Sequence, residues 1–220
     1  MGETISEAIG ADHDSLDFYY ENIKNALDDA AKVRWRNQLT WNLARHAISE
    51  ELTLYPAMEK YLGDVGVQLS KTDKEQHLGV KNYLSQIQDM TPTDPKFWLL
   101  LDDLMSVLHH HIEHEKTEDM PRLEKLLSRE ESEALAGEFK RTKLIAPTRS
   151  HPSAPTEVHL ETLAGLMTAP IDYLRNMVRD FPTDSDEREA EERIKNRKED
   201  GAHDSTEDSD LNGTVRDTNW

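Results

Sequence analysis

Four histidines stand where an apolar helical pattern would place a core leucine: His13, His46, His77 and His111. His111, for example, follows Leu104 and Leu108 at three- and four-residue steps. His13 lies 33 residues before His46, and His77 lies 34 residues before His111, so the chain repeats one spacing in two halves. A single inward histidine is usually a hydrogen-bonded core residue. Four inward histidines at equivalent positions on four helices favour a metal site.

Two glutamates extend the repeat. The tract HAISEELTLYPAMEKYL at 46–62 aligns without gaps to HIEHEKTEDMPRLEKLL at 111–127, and both contain histidine, three residues, glutamate, five residues, proline. Residues four apart share one helix face, so His46 with Glu50 and His111 with Glu115 can each hold one metal or bridge two. A buried carboxylate also needs a cation nearby to offset its desolvation.

The histidine-rich tract at 109–118 offers other registers of the same motif, pairing His109 with Glu113 or His114 with Glu118. We select His111 because it shares a face with the leucines before it and because only this register puts a proline ten residues later. The remaining histidines are expected on solvated or outer faces: His109, His110, His114, His151, His159 and His203.

The elements that must position these residues are helices, and nothing in 1–145 has the alternation of a strand. We expect a first helix from about Ile5 to Leu27, a second from Val33 to Leu62, a third across Leu69 to Ile87, and a fourth from Pro95 to Leu127. Short connections between long helices favour an all-α, antiparallel up-down four-helix bundle.

Composition divides the chain near residue 182. Before that point we expect a metal-binding bundle over 1–130 and a C-terminal helical extension over 131–181. Residues 182–220 contain 13 acidic and 6 basic residues and few apolar ones, so we expect an acidic tail that is disordered or partly helical.

Bulk properties exclude several classes of function. The chain has no cysteine, so it holds no disulfide, thiolate site or iron–sulfur cluster. Its formal net charge of −18 disfavours nucleic acid and anionic membranes as partners and attracts cations. It has no signal-like start and no membrane span, so a cytoplasmic protein is expected.

The combined pattern resembles the hemerythrin-like family, the His-His-Glu cation-binding domains, over roughly residues 1–130. The matching positions are His13, His46, Glu50, His77, His111 and Glu115. The resemblance implies that these residues hold two iron ions bridged by the carboxylates. True hemerythrins have one more histidine four residues before the third-helix ligand. Here that position is Asp73, a further candidate ligand, so the resemblance does not imply simple reversible oxygen carriage. The segment 148–181 is similar to an extension of fungal members.

Imidazoles and carboxylates suit iron or manganese, with zinc as another option. We therefore expect two iron ions as cofactor and dioxygen or peroxide as small partner. Three classes stay open: a module that binds iron and oxygen for sensing, storage or scavenging; a di-iron oxidase or peroxide-consuming enzyme; and a metal-free helical interaction protein. No catalytic residue and no organic substrate can be named.

Overall fold

A computed structural model describes residues 2–146 and 179–207, and within these residues the chain is helical with no strand. The elements in chain order are α1 Ile5–Asn25, α2 Asp29–Leu52, α3 Leu54–Leu62, α4 Asp64–Ile87, α5 Phe97–His114, a π-helical segment Glu115–Asp119, α6 Met120–Glu124, α7 Arg129–Ile145 and α8 Asp184–Glu207. The expected all-α bundle is confirmed. Much of the predicted extension, 147–178, lies outside the described residues.

Reciprocal caps set where the helices begin. The Thr4 hydroxyl accepts from the Glu7 backbone N–H at 3.2 Å, and the Glu7 carboxylate accepts from the Thr4 N–H at 2.7 Å. Ser128 and Glu131 form the same capping box at the start of α7. These bonds satisfy backbone donors that a helix start leaves unpaired. The start of α1 is thereby placed so that Ile5, Ile9 and His13 are all buried.

The second predicted helix is interrupted just after Glu50, and the fourth is interrupted at Glu115. The second ends α2 at Leu52, bends at Thr53 (φ −125°, ψ −58°) and resumes as α3. The fourth passes into the π-helical segment after His114. Pro56 and Pro121 have no backbone N–H and cannot continue α-helical bonding through these turns. The two continuous helices that the periodicity predicts are therefore wrong in this detail.

The turn from α3 to α4 requires glycine at two points. Gly63 has φ +59°, a conformation that residues with a Cβ rarely adopt. A Cβ on Gly66 would lie 2.0 Å from the Met58 carbonyl oxygen. The two helices therefore approach closely, and this approach sets the direction in which α4 carries His77 into the bundle.

Packing in the first part of the chain joins α1 with α2, α4 with both α3 and α5, and α7 with α1 and α2. An apolar cluster fills the end of the bundle where α1, α3, α6 and α7 meet. Its largest members are Ile5, Ile9, Leu54, Tyr55, Met58, Leu123 and Phe139. The predicted extension thus begins with a helix, α7, that packs on the bundle.

By its contacts the chain divides into two compact units, Met1–Phe181 and Pro182–Trp220. In the second unit, Thr183 and Asp186 cap α8 reciprocally, and Arg193 pairs with Glu189 one turn away. Such local interactions stabilise a helix in a polar sequence that lacks an apolar face, and a partly helical tail is one of the two forms expected from the sequence. No helix among the described residues is long and apolar enough to cross a membrane.

Candidate metal centre

The six residues selected from the sequence meet in the middle of the bundle. Each of the four histidines comes from a different helix, α1, α2, α4 or α5, and the glutamates come from α2 and the π-helical segment. His13 is 8% exposed and the other five are at most 1% exposed. Four helices that each bury one polar ring against the others make a shared interior site.

One half of the site is formed by His13, His46 and one oxygen from each glutamate. The two Nε2 atoms lie 3.1 Å apart, and His46 Nε2 lies 3.1 Å from Glu50 Oε1. His13 Nε2 lies 3.5 Å from Glu115 Oε2. These nitrogens and oxygens therefore converge on one point.

The other half mirrors the first. His77 Nε2 and His111 Nε2 lie 3.0 Å apart. His77 Nε2 lies 3.3 Å from Glu50 Oε2, and His111 Nε2 lies 3.4 Å from Glu115 Oε1. Each glutamate therefore presents one oxygen to each half, so Glu50 and Glu115 could each hold both members of a pair of cations.

The second ring nitrogens of three histidines have carboxylate or amide partners that the sequence analysis missed. His46 Nδ1 lies 3.2 Å from Asp12 Oδ2, and His111 Nδ1 lies 2.9 Å from Gln76 Oε1. Each partner directly precedes the other histidine of the same half, a repeat that the sequence does contain. Such partners set the tautomer so that Nε2 is free to bind a metal.

The two halves differ at the residue that follows each glutamate. Glu51 accepts from His77 Nδ1 at 2.9 Å and also pairs with Lys81 at 2.8 Å. The equivalent residue after Glu115 is Lys116, a cation that cannot accept from His13. His13, the most exposed of the six, is therefore the less constrained ring.

Aromatic side chains close the site on two sides, and neither was selected from the sequence. The Tyr55 hydroxyl lies 3.0 Å from His77 Nε2. The Phe139 ring on α7 meets His46 edge to face, with centroids 5.9 Å apart. These rings exclude water and lower the local dielectric, so α7 forms part of the wall of the site.

Burial and charge divide the histidines into two kinds. Burial lowers the pKa of His13 to about 3 and that of His111 to about 4, so both are neutral. Burial opposes a charge on His46 as well, but Glu50 and Asp12 outweigh it and raise its pKa to about 9. In the protein without metal, a protonated His46 thus compensates the buried Glu50 carboxylate.

The carboxylates themselves test whether cations fit. All four oxygens of Glu50 and Glu115 are buried without a hydrogen bond of good geometry, and the protonated His46 lies 3.1 Å from one of them, Glu50 Oε1. A buried carboxylate without a donor is costly, and two side by side more so. A pair of cations between the histidine pairs would give every one of these oxygens a partner, so the residues fit a dinuclear metal site.

A cavity of about 540 Å³ reaches the centre from the His13 side. Its wall includes Ile9, Gly10, His13, Ile112, Glu115 and Met120. Of the six central residues, only His13 and Glu115 line it. Small molecules can therefore approach the half with the less constrained ring, past a lining that mixes apolar side chains with charged ones such as Asp14, Asp17 and Lys116.

The histidine-rich tract has one buried member at its centre. His111 is fully buried, whereas His110 is exposed and His109 is exposed and pairs with Asp17 at 2.7 Å. His151, His159 and the side chain of His203 lie outside the described part of the chain.

Asp73 is not among the six that converge. Its carboxylate lies instead beside His114 and Asp119. One ligand atom from each of the three residues lies within 4.8 Å of the other two. Burial and the neighbouring charge of Asp119 raise the pKa of Asp73 to about 7, and burial raises that of Asp119 to about 6. His114, expected on a solvated or outer face, has a side chain only 25% exposed.

Comparison with known families matches residues 4–123 to the Hemerythrin HHE cation binding domain. The chain belongs to the hemerythrin family. The hemerythrin domain spans all six central residues and ends at the last residue but one of α6. Its cation-binding description agrees with the geometry of the paired histidines and the two glutamates between them.

Two curated proteins resemble this hemerythrin chain. An uncharacterised hemerythrin-like protein of Schizosaccharomyces pombe is 47% identical over 178 residues, which cover 81% of this chain and 88% of that protein. A DNA nickase of Nostoc is 25% identical over 139 residues, which cover 63% of this chain and 39% of the nickase. A fungal relationship is thus plausible over most of the chain. No solved structure matches significantly.

Proposed function

We propose that this hemerythrin-family protein binds two iron ions, and dioxygen or peroxide beside them, as a sensor, store or scavenger. The observation that supports this most directly is the orientation of the two glutamates. Each glutamate directs one oxygen toward the pair His13 and His46. It directs the other oxygen toward the pair His77 and His111. Two cations of one kind, each with equivalent donors, fit this symmetry.

Iron is among the metals that the donor set suits. The set contains four imidazoles and two carboxylates and no thiolate, a mixture that suits iron or manganese and allows zinc. When bound, iron at such a site supplies redox chemistry and a coordination position for a small oxygen ligand.

The protein's own residues would do the rest. Asp12, Gln76 and Glu51 orient the rings through their second nitrogens. The cavity beside His13 is large enough to admit molecules of the size of dioxygen. The surrounding negative charge draws cations toward the chain.

Elemental analysis and an optical spectrum test the proposal. Untagged protein purified in air after iron-replete expression should contain about two irons per chain, as expected for six donors shared between two ions. Its visible absorption should change reversibly when oxygen is removed and readmitted. Iron content near zero would overturn the proposal.

A di-iron oxidase or peroxide-consuming enzyme is the second candidate, because the cavity reaches His13 and Glu115 and could hold a reactant. Consumption of peroxide beyond one equivalent per centre, or oxygen uptake in step with oxidation of a small molecule, would favour the enzyme. A metal-free interaction protein is disfavoured by the four carboxylate oxygens without donors.

The similarity to a DNA nickase raises a nuclease as a further possibility. The net charge of −18 disfavours it, since the chain would repel a phosphodiester backbone. Incubating the metal-loaded protein with supercoiled plasmid tests this directly, with the His46→Ala variant as control. Nicking by the wild type alone would support nuclease activity.

A further inference from the structure

Beside the dinuclear centre lies a second group of unpartnered acidic side chains. Asp73 on α4 and Asp119 at the end of the π-helical segment are both fully buried. All four of their carboxylate oxygens lack a hydrogen-bond partner, as does His114 Nδ1. The histidine nitrogen lies 3.3 Å from Asp73 Oδ1 and 3.2 Å from Asp119 Oδ2.

The π-helical segment is what brings His114 and Asp119 together. In an α-helix, residues five apart are separated by about 140° around the axis and face different directions. A π-helix closes its bonds over five residues, and the Met120 N–H indeed donates to the Glu115 carbonyl. His114 and Asp119 thereby share a face, which points at Asp73.

We propose that Asp73, His114 and Asp119 form a separate binding site for one divalent transition-metal cation, distinct from the dinuclear centre. Two carboxylates and one imidazole suit Mn²⁺, Fe²⁺ or Zn²⁺ better than Ca²⁺ or Mg²⁺, which prefer oxygen donors alone. The partly exposed His114 ring gives the site a route to solvent. The two aspartates contribute no oxygen to the dinuclear centre, so the two sites do not compete for donors.

The alternative occupant is a proton. Burial raises the pKa of Asp73 to about 7, so this carboxyl group can also lower its desolvation cost by taking up a proton. Protonation and a cation are distinguished by counting bound metal. Zn²⁺ is a suitable probe, because it binds nitrogen and oxygen donors tightly and undergoes no redox reaction.

The experiment is equilibrium dialysis of the untagged, iron-loaded full chain against micromolar Zn²⁺, followed by elemental analysis of iron and zinc together. The wild type should bind about one zinc per chain while its iron content stays constant. Asp119→Asn and Asp73→Asn should bind this zinc at least about tenfold more weakly, since loss of even an outer-shell partner commonly has that effect. Glu75→Gln and Glu113→Gln, which remove exposed charges from α4 and α5, should bind it normally.

Three results would overturn the proposal. The wild type could bind zinc only by losing an equal amount of iron, both aspartate variants could bind as much zinc as the wild type, or the two control variants could lose as much zinc as the aspartate variants. Retained iron shows that an aspartate variant is folded. If one fails to fold, His114→Ala replaces it, because this ring is partly exposed. The one-zinc difference between wild type and Asp119→Asn is independent of the iron proposal. If the wild type holds no iron, the same comparison is made in the His46→Ala background, which removes a donor from the dinuclear centre. The double variant His46→Ala, Asp119→Asn should then bind about one zinc fewer than His46→Ala.

Discussion

At the scale of single residues, the partner of the second nitrogen sets what each histidine can do. His46 faces Asp12 and is protonated in the absence of metal. His77 faces Glu51, but the residue equivalent to Glu51 in the other half is Lys116, which cannot accept a hydrogen bond from His13. The neutral, more exposed His13 and the cavity beside it lie on the same side. We infer that small ligands approach this half of the centre.

The first prediction compares neighbouring histidines in one tract. His111→Ala and His46→Ala should each remove a donor and abolish the iron spectrum, because each Nε2 lies within 3.4 Å of a glutamate oxygen and within 3.1 Å of another imidazole nitrogen. His110→Ala should leave iron content nearly unchanged, because His110 is exposed. Elemental analysis of the three variants is the measurement. Loss of iron in His110→Ala with retention in His111→Ala would mean that the alignment of 46–62 with 111–127 is wrong by one residue.

The second prediction concerns the stability of metal-free protein. The pKa of His46 is raised from an ordinary value of 6.5 to about 9, so the folded state binds more protons than the unfolded state between these values. The free energy of unfolding should therefore fall as pH rises from 7 to 9, by roughly 1 kcal/mol per pH unit at most. Urea unfolding at several pH values measures it.

The iron-loaded protein is the matched control for this pH series. A metal on Nε2 keeps the ring neutral at every pH in the range, so the decline should be absent. Stability of the metal-free protein that is constant or rises over the same range would show that His46 is not protonated.

The two helix interruptions, just after Glu50 and at Glu115, have different consequences. The bend at Thr53 leads into α3, which brings Tyr55 to His77. The π-helical segment shifts the register of the last turns, which brings Asp119 to His114. One repeated His-Glu-Pro pattern thus supports two different surroundings.

The third prediction tests the cavity through Gly10 of α1. A Cβ at Gly10 would meet no atom within 4 Å. Gly10→Ala should therefore stabilise the protein by about 1 kcal/mol through helix propensity and leave access unchanged. Gly10→Phe should fill the cavity, keep the iron, and slow both removal of iron by a chelator and the spectral response to oxygen severalfold. Equal rates in both variants would mean that ligands enter elsewhere.

At the scale of the whole molecule, charge and composition separate the tail from the bundle. Residues 1–181 carry 31 acidic and 20 basic side chains, a net charge of −11, so the attraction for cations does not depend on the tail. The contacts of Arg179 with Asp89 and of Phe181 with Trp41 lie before the start of the tail.

The fourth prediction is that truncation after Phe181 leaves both iron content and stability unchanged, within about 0.5 kcal/mol. The removed segment is too poor in apolar residues to supply core packing. Thermal unfolding and elemental analysis of the truncated and full chains measure the two quantities. A substantial loss of either would indicate that the tail docks on the bundle.

Local periodicity is enough to predict which residues of each helix face the interior. Helical spacing alone places His46 and Glu50 on one face, and the gapless repeat places His111 and Glu115 equivalently. Because one face of each helix must be buried in a bundle, residues on the apolar stripes had to meet inside it. The structure brings together the six residues that this argument selected, and their role as ligands stays a prediction.

How the chain continues beyond Glu50 and Glu115, and which side chains surround the centre, depends on tertiary contacts. A proline shows that a backbone donor is missing, but not whether the chain bends, as at Thr53, or widens into a π-helix, as before Met120. Residues five apart look unrelated under α-helical periodicity, so the pairing of His114 with Asp119 was invisible. Asp73 joins them because the packing of α4 against α5 sets which faces meet, and that packing depends on contacts between residues far apart in sequence.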